Sequence, residues 1–210
     1  MPELLWHRPE GQCLASLILA HGAGAPMDSE FMRSISQLLV ERGIAVVRFE
    51  FAYMAARRVD GKRRPPNPQK QLLEQWRRVY AQVREHTQGI VAIGGKSMGG
   101  RMASILANEL RADALVCLGY PFYAAGKPEK PRTAHLVTLD TRTLIIQGER
   151  DALGNLPTVA GYSLSPAIRL HWLAAGDHDL KPLKSSGFSQ GQHLVCAANE
   201  IAAFLACAPS

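Results

Sequence analysis

Five residues restrict this chain more than any others. Gly95-Lys96-Ser97-Met98-Gly99 stands directly behind the apolar run Gly89-Ile90-Val91-Ala92-Ile93-Gly94 and ahead of Arg101-Met102-Ala103-Ser104-Ile105-Leu106-Ala107. The first run reads as a buried strand and the last as a helix, with a sharp turn between them. Glycines two residues to either side of a serine remove the side chains that so tight a turn would bring into collision. A bare G-x-S-x-G arises by accident in roughly one chain of this length in ten, so its surroundings decide what it means.

Those surroundings are regular. Apolar runs alternate with amphipathic ones, the pattern of a parallel sheet covered by helices. Strands are expected at Leu4–His7, Ser16–Ala20, Ile44–Phe49, Ile90–Ile93, Ala114–Leu118, Thr143–Gln147 and Ile168–Leu173. Helices are expected at Ser29–Glu41, Gln69–Glu85, Ser97–Leu110, Leu153–Gly161 and Gln190–Ala206; in the last, Leu194, Val195, Ala198, Ile201 and Leu205 share one face. The fold class is therefore α/β: a doubly wound, mostly parallel sheet flanked by helices, as one domain over residues 1–210. No internal repeat or linker divides it. Only about two dozen residues separate Leu118 from Thr143, too few for a folded cap, which predicts an open and shallow site. Such a sheet binds ligands at the carboxyl ends of its strands.

Composition narrows the setting. The apolar fraction of 47% over 210 residues suits a globular core, and no apolar stretch is long enough for a membrane span. Leu14–Ala20 follows Glu10 and lacks a basic flank, so it reads as a strand and not as a signal peptide. Cys13, Cys117, Cys196 and Cys207 have neither metal-ligand nor disulfide-framework spacing. No metal or organic cofactor is implied, and a reduced, cytoplasmic protein is the expectation. The net charge is +6, with Arg57, Arg58, Lys62, Arg63 and Arg64 crowded ahead of Pro65-Pro66. This reads as a basic loop, either simply solvated or steering an anionic substrate. No aromatic residues are interleaved with it, so nucleic acid is not an expected partner.

The residues that follow strands carry the chemistry. Ser97 ends the first turn described, a nucleophile elbow in which the next N–H, that of Met98, faces a developing oxyanion. After Ser16–Ala20 comes His21-Gly22-Ala23-Gly24-Ala25-Pro26, whose small residues let backbone N–H groups approach a ligand. Ala23 is the expected second oxyanion donor, with Gly24 as the alternative. After Thr143–Gln147 comes Asp151, suited either to a catalytic acid or to capping the helix near Leu153. After Ile168–Leu173 comes Gly176-Asp177-His178-Asp179. His178 is the one histidine in a loop beyond the last strand; Asp177 and Asp179 beside it are rival acids better disposed to bond their own loop. Ser97, Asp151 and His178 thus occur in the order of one class of acyl-transfer site, each after a strand. His178 would take the proton that makes a serine hydroxyl nucleophilic, and Asp151 would orient its ring. Lys96 either attracts an anionic substrate or pairs with a neighbouring carboxylate. Lys96, His21, Arg63 and Arg64 are the candidate substrate-binding side chains.

With these residues assembled, the chain resembles the α/β-hydrolase superfamily over nearly its whole length. More narrowly it is similar to a small cap-less branch that includes bacterial hydrolase-like proteins and the testis-expressed and NSL-complex relatives of eukaryotes. The likeness is carried by Leu19-Ala20-His21-Gly22-Ala23-Gly24-Ala25, Phe49-Glu50-Phe51, Arg63-Arg64-Pro65-Pro66, Gly94–Arg101, Gly119-Tyr120-Pro121-Phe122, Gln147–Asp151 and Gly176–Leu180. Ala52 departs from it, since proline is expected after Phe-Glu-Phe. The resemblance implies an eight-stranded sheet and a Ser97–His178–Asp151 triad; the triad order, the oxyanion loop and the unobstructed site lead to the expectation of a serine hydrolase acting on a small-molecule carboxylic ester or thioester. Some members of the branch serve in chromatin-associated assemblies, which keeps a non-catalytic scaffold as the alternative.

Overall fold

Strand Ala15–Ala20 (β2) is buried at every position, and its side chains alternate between two apolar layers. Leu17 and Leu19 join one layer while Ile18 and Ala20 join the other. Both faces of the sheet must therefore be covered, which only helices on each side achieve. The structure, a computed structural model, describes residues 3–207; the ends of the domain expected over 1–210 (residues 1, 2 and 208–210) lie outside the described residues.

The other strands are β1 (Leu4–His7), β3 (Ile44–Phe49), β4 (Val91–Lys96), β5 (Ala114–Leu118), β6 (Thr143–Gly148) and β7 (Ile168–Leu173). The helices are α1 (Glu30–Val40), α2 (Ala52–Asp60), α3 (Gln69–Glu85), α4 (Met98–Leu110), α5 (Leu156–Val159) and α6 (Gln190–Ala206), with short 3₁₀ turns at Ala134–Leu136 and Lys184–Ser186. The sheet order is β1-β3-β2-β4-β5-β6-β7, parallel throughout except that β1 runs antiparallel to β3. Met32, Ile35 and Leu39 of α1 pack with Ala197, Ile201 and Leu205 of α6 on one face. Trp76, Val79 and Val83 of α3 pack with Met102 and Leu106 of α4 on the other.

This order has one reversal point. From β2 the chain moves outward to β3 on one side, and from β4 onward it moves to β5, β6 and β7 on the other. β2 and β4 are neighbours, with Ala20 opposite Gly95, so the loops leaving their carboxyl ends part and open a crevice. Ser97 lies two residues beyond Gly95.

The sheet departs from the resemblance in having seven strands, not eight, among the described residues. β4 also runs on to Lys96, past the expected end at Ile93. Gly94 and Gly95 stay in register because β2 and β5 supply ladder partners on both sides. The expected basic loop is partly helix: α2 takes in Arg57 and Arg58 and ends at Gly61, which holds the left-handed φ of +72° of a helix terminus. Residues 61–68, Pro65-Pro66 among them, carry no regular structure. Ala52, where proline was expected, donates its N–H to Gln75 Oε1 at 3.0 Å, a bond proline has no hydrogen to make. The helix expected over Leu153–Gly161 shrinks to Leu156–Val159, started by the Asn155 side chain accepting from the Thr158 N–H.

Trp76 is fully buried, with its ring 4.9 Å from that of Phe49 in an edge-on contact. Trp76→Ala should cost about 4 kcal/mol in urea unfolding through the cavity it leaves.

Candidate active site

Ser97 is held where few side chains settle. Its φ of 51° and ψ of −118° lie outside the ordinary regions, a local cost of about 1–3 kcal/mol. Two backbone bonds hold it there: its N–H donates to Leu118 at 2.9 Å, and its carbonyl accepts from Arg101 at 3.0 Å. The flanking glycines answer a steric demand. A Cβ on Gly95 would stand 2.6 Å from the Ala20 carbonyl oxygen, and one on Gly99 would stand 2.6 Å from the oxygens of both Ala20 and His21. Met98 begins α4, whose first bond is the one from Arg101, so the Met98 N–H has no acceptor within its helix.

The three separated residues of the sequence reading come together here. Ser97 Oγ lies 2.8 Å from His178 Nε2, and His178 Nδ1 lies 2.8 Å from Asp151 Oδ2. A carboxylate facing Nδ1 assigns the ring proton to that nitrogen and leaves Nε2 as acceptor for the serine hydroxyl. Asp151 is wholly buried, and its two oxygens take three bonds: from His178, from Gln147 Nε2 at 2.8 Å and from the Leu153 N–H at 2.8 Å. The helix-capping role weighed for it falls to Asn155; one Asp151 oxygen instead holds a local turn at the Leu153 N–H, and the other faces the imidazole. Asp177 accepts from the N–H groups of Asp179 and Lys181 and so bonds its own loop.

Gln147 was not singled out in the sequence. It is fully buried, accepts from the Tyr120 N–H at 2.7 Å and donates to Asp151, fixing the carboxylate from behind. A glutamine ending a buried strand was the available signal, because a buried amide demands partners. Gly119 is a second such residue: at φ +61°, a Cβ there would stand 2.7 Å from the His178 carbonyl oxygen.

Of the four side chains expected to meet substrate, His21 and Lys96 are turned to other tasks. His21 is completely buried; its Nδ1 donates to the Gly22 carbonyl at 2.6 Å and its Nε2 accepts from the Phe51 N–H at 3.1 Å. No ring atom remains for a ligand. By fixing the Gly22 carbonyl, His21 also fixes the Ala23 N–H on the far side of the same planar peptide. Tyr53 Oη does the same for Gly24 by donating to the Ala23 carbonyl at 2.9 Å. Ala23 and Gly24 are exposed, and Gly22 packs beside Ser97, an added Cβ lying 3.7 Å from that of the serine. Lys96 is buried, donates from Nζ to the His178 carbonyl at 2.7 Å and pairs with Asp179 at 3.2 Å. Burial pushes its ammonium below the ordinary lysine range, against the pull of Asp179, Asp151 and Asp177.

The basic cluster divides. Arg58 forks between Glu50 and Asp28, and Arg64 binds Asp60. Arg63 is exposed in the segment after Gly61. Arg57, outside the expected set, is the one that reaches the site loop, with Nη1 3.5 Å from the Gly24 carbonyl. A groove of about 1510 Å³ between α2 and α3, lined by Glu50, Arg58, Glu74 and Arg78 among others, contains none of Ser97, Asp151 and His178. Among the described residues no group of three or more His, Cys, Asp or Glu side chains is arranged to hold a metal ion, and no helix is long and apolar enough to cross a membrane.

Residues 14–206 match the model of a family described as an alpha/beta hydrolase domain. Among solved structures, an α/β serine hydrolase without a lid from Xanthomonas campestris superposes with a TM-score of 0.75 at 19% identity, over 99% of this chain and 91% of its own. A dienelactone hydrolase from Anabaena variabilis gives 0.69 at 20% identity, over 97% and 90%. Est1E from Butyrivibrio proteoclasticus, with ferulic acid bound, gives 0.71 at 14%, over 98% and 96%. At these identities the likeness is one of fold.

Burial holds the folded-state pKa of His21 below its ordinary 6.5, so below that pH the unfolded chain binds the proton first. Its contribution to stability is complete above 6.5 and is lost as the pH falls toward the depressed folded value. Urea midpoints measured across this range should fall with pH, and His21→Ala should flatten the fall. The same substitution strands the Phe51 N–H and leaves the Gly22 carbonyl only its long bond from the Tyr53 hydroxyl, at a cost of about 3 kcal/mol at neutral pH.

Proposed function

The chain belongs to the α/β hydrolase domain family, and we propose that it is a serine hydrolase acting on a small carboxylic ester or thioester through an acyl-enzyme. One observation carries the reading: a single imidazole lies 2.8 Å from both a serine hydroxyl and a fully buried carboxylate. In the step proposed, Ser97 Oγ attacks the carbonyl carbon while His178 Nε2 takes its proton. Asp151 stabilises the resulting imidazolium without becoming protonated. The N–H groups of Met98 and Ala23, or Gly24 in place of Ala23, bind the oxyanion, at about 3 kcal/mol per donor. Collapse expels the alcohol or thiol, which leaves with the His178 proton. A water then repeats the sequence on the acyl-serine and frees the acid.

The lid-less character of a structural neighbour and the short β5–β6 connection support an open site for small or extended substrates. Arg57 beside the Gly24 carbonyl supports a preference for acyl groups that carry a negative charge. Four free cysteines support a reducing, cytoplasmic setting. The stretch Gly94–Arg101 and the pair Arg63-Arg64 support membership of the small cap-less branch.

A fluorophosphonate probe should label the protein and fail to label Ser97→Ala. A folded parent that takes no label would instead favour a scaffold that binds and turns nothing over. With an anionic ester, kcat/KM should fall several-fold between roughly 20 and 500 mM salt while a neutral ester holds steady. Arg57→Gln should remove most of that difference.

A further inference from the structure

Lys96 precedes the proposed nucleophile in the chain, is only 6% exposed, and takes no part in the chemistry just described. A buried ammonium is expensive, and one beside an imidazole that must become positive works against the reaction. Its position needs a reason. Along β4, Lys96 shares the face of Ala92, toward α1 and α6, and its Nζ stands 5.6 Å above the ring of Phe31 in α1. Nζ ends on the main-chain carbonyl of His178 itself, at 2.7 Å. Asp179, the next residue, lies 3.2 Å away and neutralises the charge from the solvent side, its own side chain 71% exposed.

Resting on the reading of Ser97 and His178 as nucleophile and base, we propose that Lys96 is a positioning residue that fixes the spacing between them. The linkage is a closed ring. Ser97 is bonded covalently to Lys96, Lys96 Nζ holds the His178 backbone, and His178 Nε2 returns to Ser97 Oγ. The base rides on a loop and the nucleophile on the turn that leaves β4; the lysine, the last residue of that strand, ties the loop to it at the residue that matters. A displacement of about 1 Å in such a pair costs on the order of 100-fold in rate. Asp179 makes the tie compatible with catalysis by cancelling the field that the ammonium would otherwise cast on an imidazolium. The other charged or titratable groups around the pair are Asp151, Glu149 and Arg150 after β6, Asp177 on the loop, and His193 on α6, whose Nδ1 meets the Leu180 carbonyl.

The test is the second-order rate of fluorophosphonate labelling from about pH 5 to 9 in the parent, Ser97→Ala, Lys96→Met and Asp179→Asn. Lys96→Met should label about 100-fold more slowly. Its acid limb should move to higher pH, because a cation is gone and the Asp179 carboxylate is left unpaired. Asp179→Asn exposes the imidazole to an uncompensated ammonium, so it should also label more slowly but with the acid limb moved to lower pH. Rates within two-fold of the parent, or limbs that stay put or move in the same direction, overturn the proposal. Should Lys96→Met not fold, the exposed Asp179→Asn decides alone by the same criterion. Loss of label in the parent, or its persistence in Ser97→Ala, would refute the underlying serine-hydrolase reading instead.

Discussion

Between Gly99 and the end of β2 there is room for backbone and nothing more. The carbonyl oxygens of Ala20 and His21 stand 2.6 Å from where a Cβ on Gly99 would be, and the Ala20 oxygen stands equally close to one on Gly95. Because these chains touch, α4 starts directly over the β2–β4 junction, where the sheet order reverses. The same contact puts Ser97 beside the Gly22–Gly24 loop. Every other feature of the site is arranged around that fixed point: β5 accepts the Ser97 N–H, β6 brings Asp151, and β7 delivers the loop that carries His178.

Electrostatics then work on a frame that sterics have set. Asp151 is fully buried, and a carboxylate is tolerated there because three donors meet its two oxygens. Gln147 is the middle term, tying that carboxylate to the Tyr120 N–H and to the Gly154 carbonyl, at 3.1 Å. On the other side, Lys96 and Asp179 form a pair whose charges cancel at the edge of the site. A fully buried carboxylate thus stands behind the imidazole and an ion pair beside it. The arginines of α2 divide in the same way: Arg58 pairs with Glu50 and Asp28, while Arg57 reaches the Gly24 carbonyl.

Much of this was legible in the residues, for physical reasons. Strands β2 to β6 were readable because buried parallel strands are short apolar runs, β1 and β7 were short apolar runs at the less buried sheet edges, and Ser97, Asp151 and His178 were readable because each follows a strand. What stayed hidden depended on partners distant in sequence. His21 looks like a ligand-facing residue until Phe51 and Gly22 occupy both its nitrogens; for Lys96 a carboxylate partner was legible, as Asp179 bears out, but its bond to the His178 carbonyl was not. Helix α2 was obscured by its charge: a basic run near two prolines reads as loop, although Gly61 marked the helix end and Tyr53 and Met54 marked its buried side. The extension of β4 through two glycines was hidden because glycine carries no strand signal, and only neighbours on both sides keep it extended.

The central claim is that the imidazole poised between Asp151 and Ser97 makes that serine an acyl acceptor. The most direct measurement mixes the protein with an activated acetate ester, quenches in acid within milliseconds and locates the acetyl group by peptide mass spectrometry. Acetate should appear on Ser97 in a stoichiometric burst that disappears in His178→Ala. Acetate distributed over surface lysines, with Ser97 unmodified in folded protein, would contradict it.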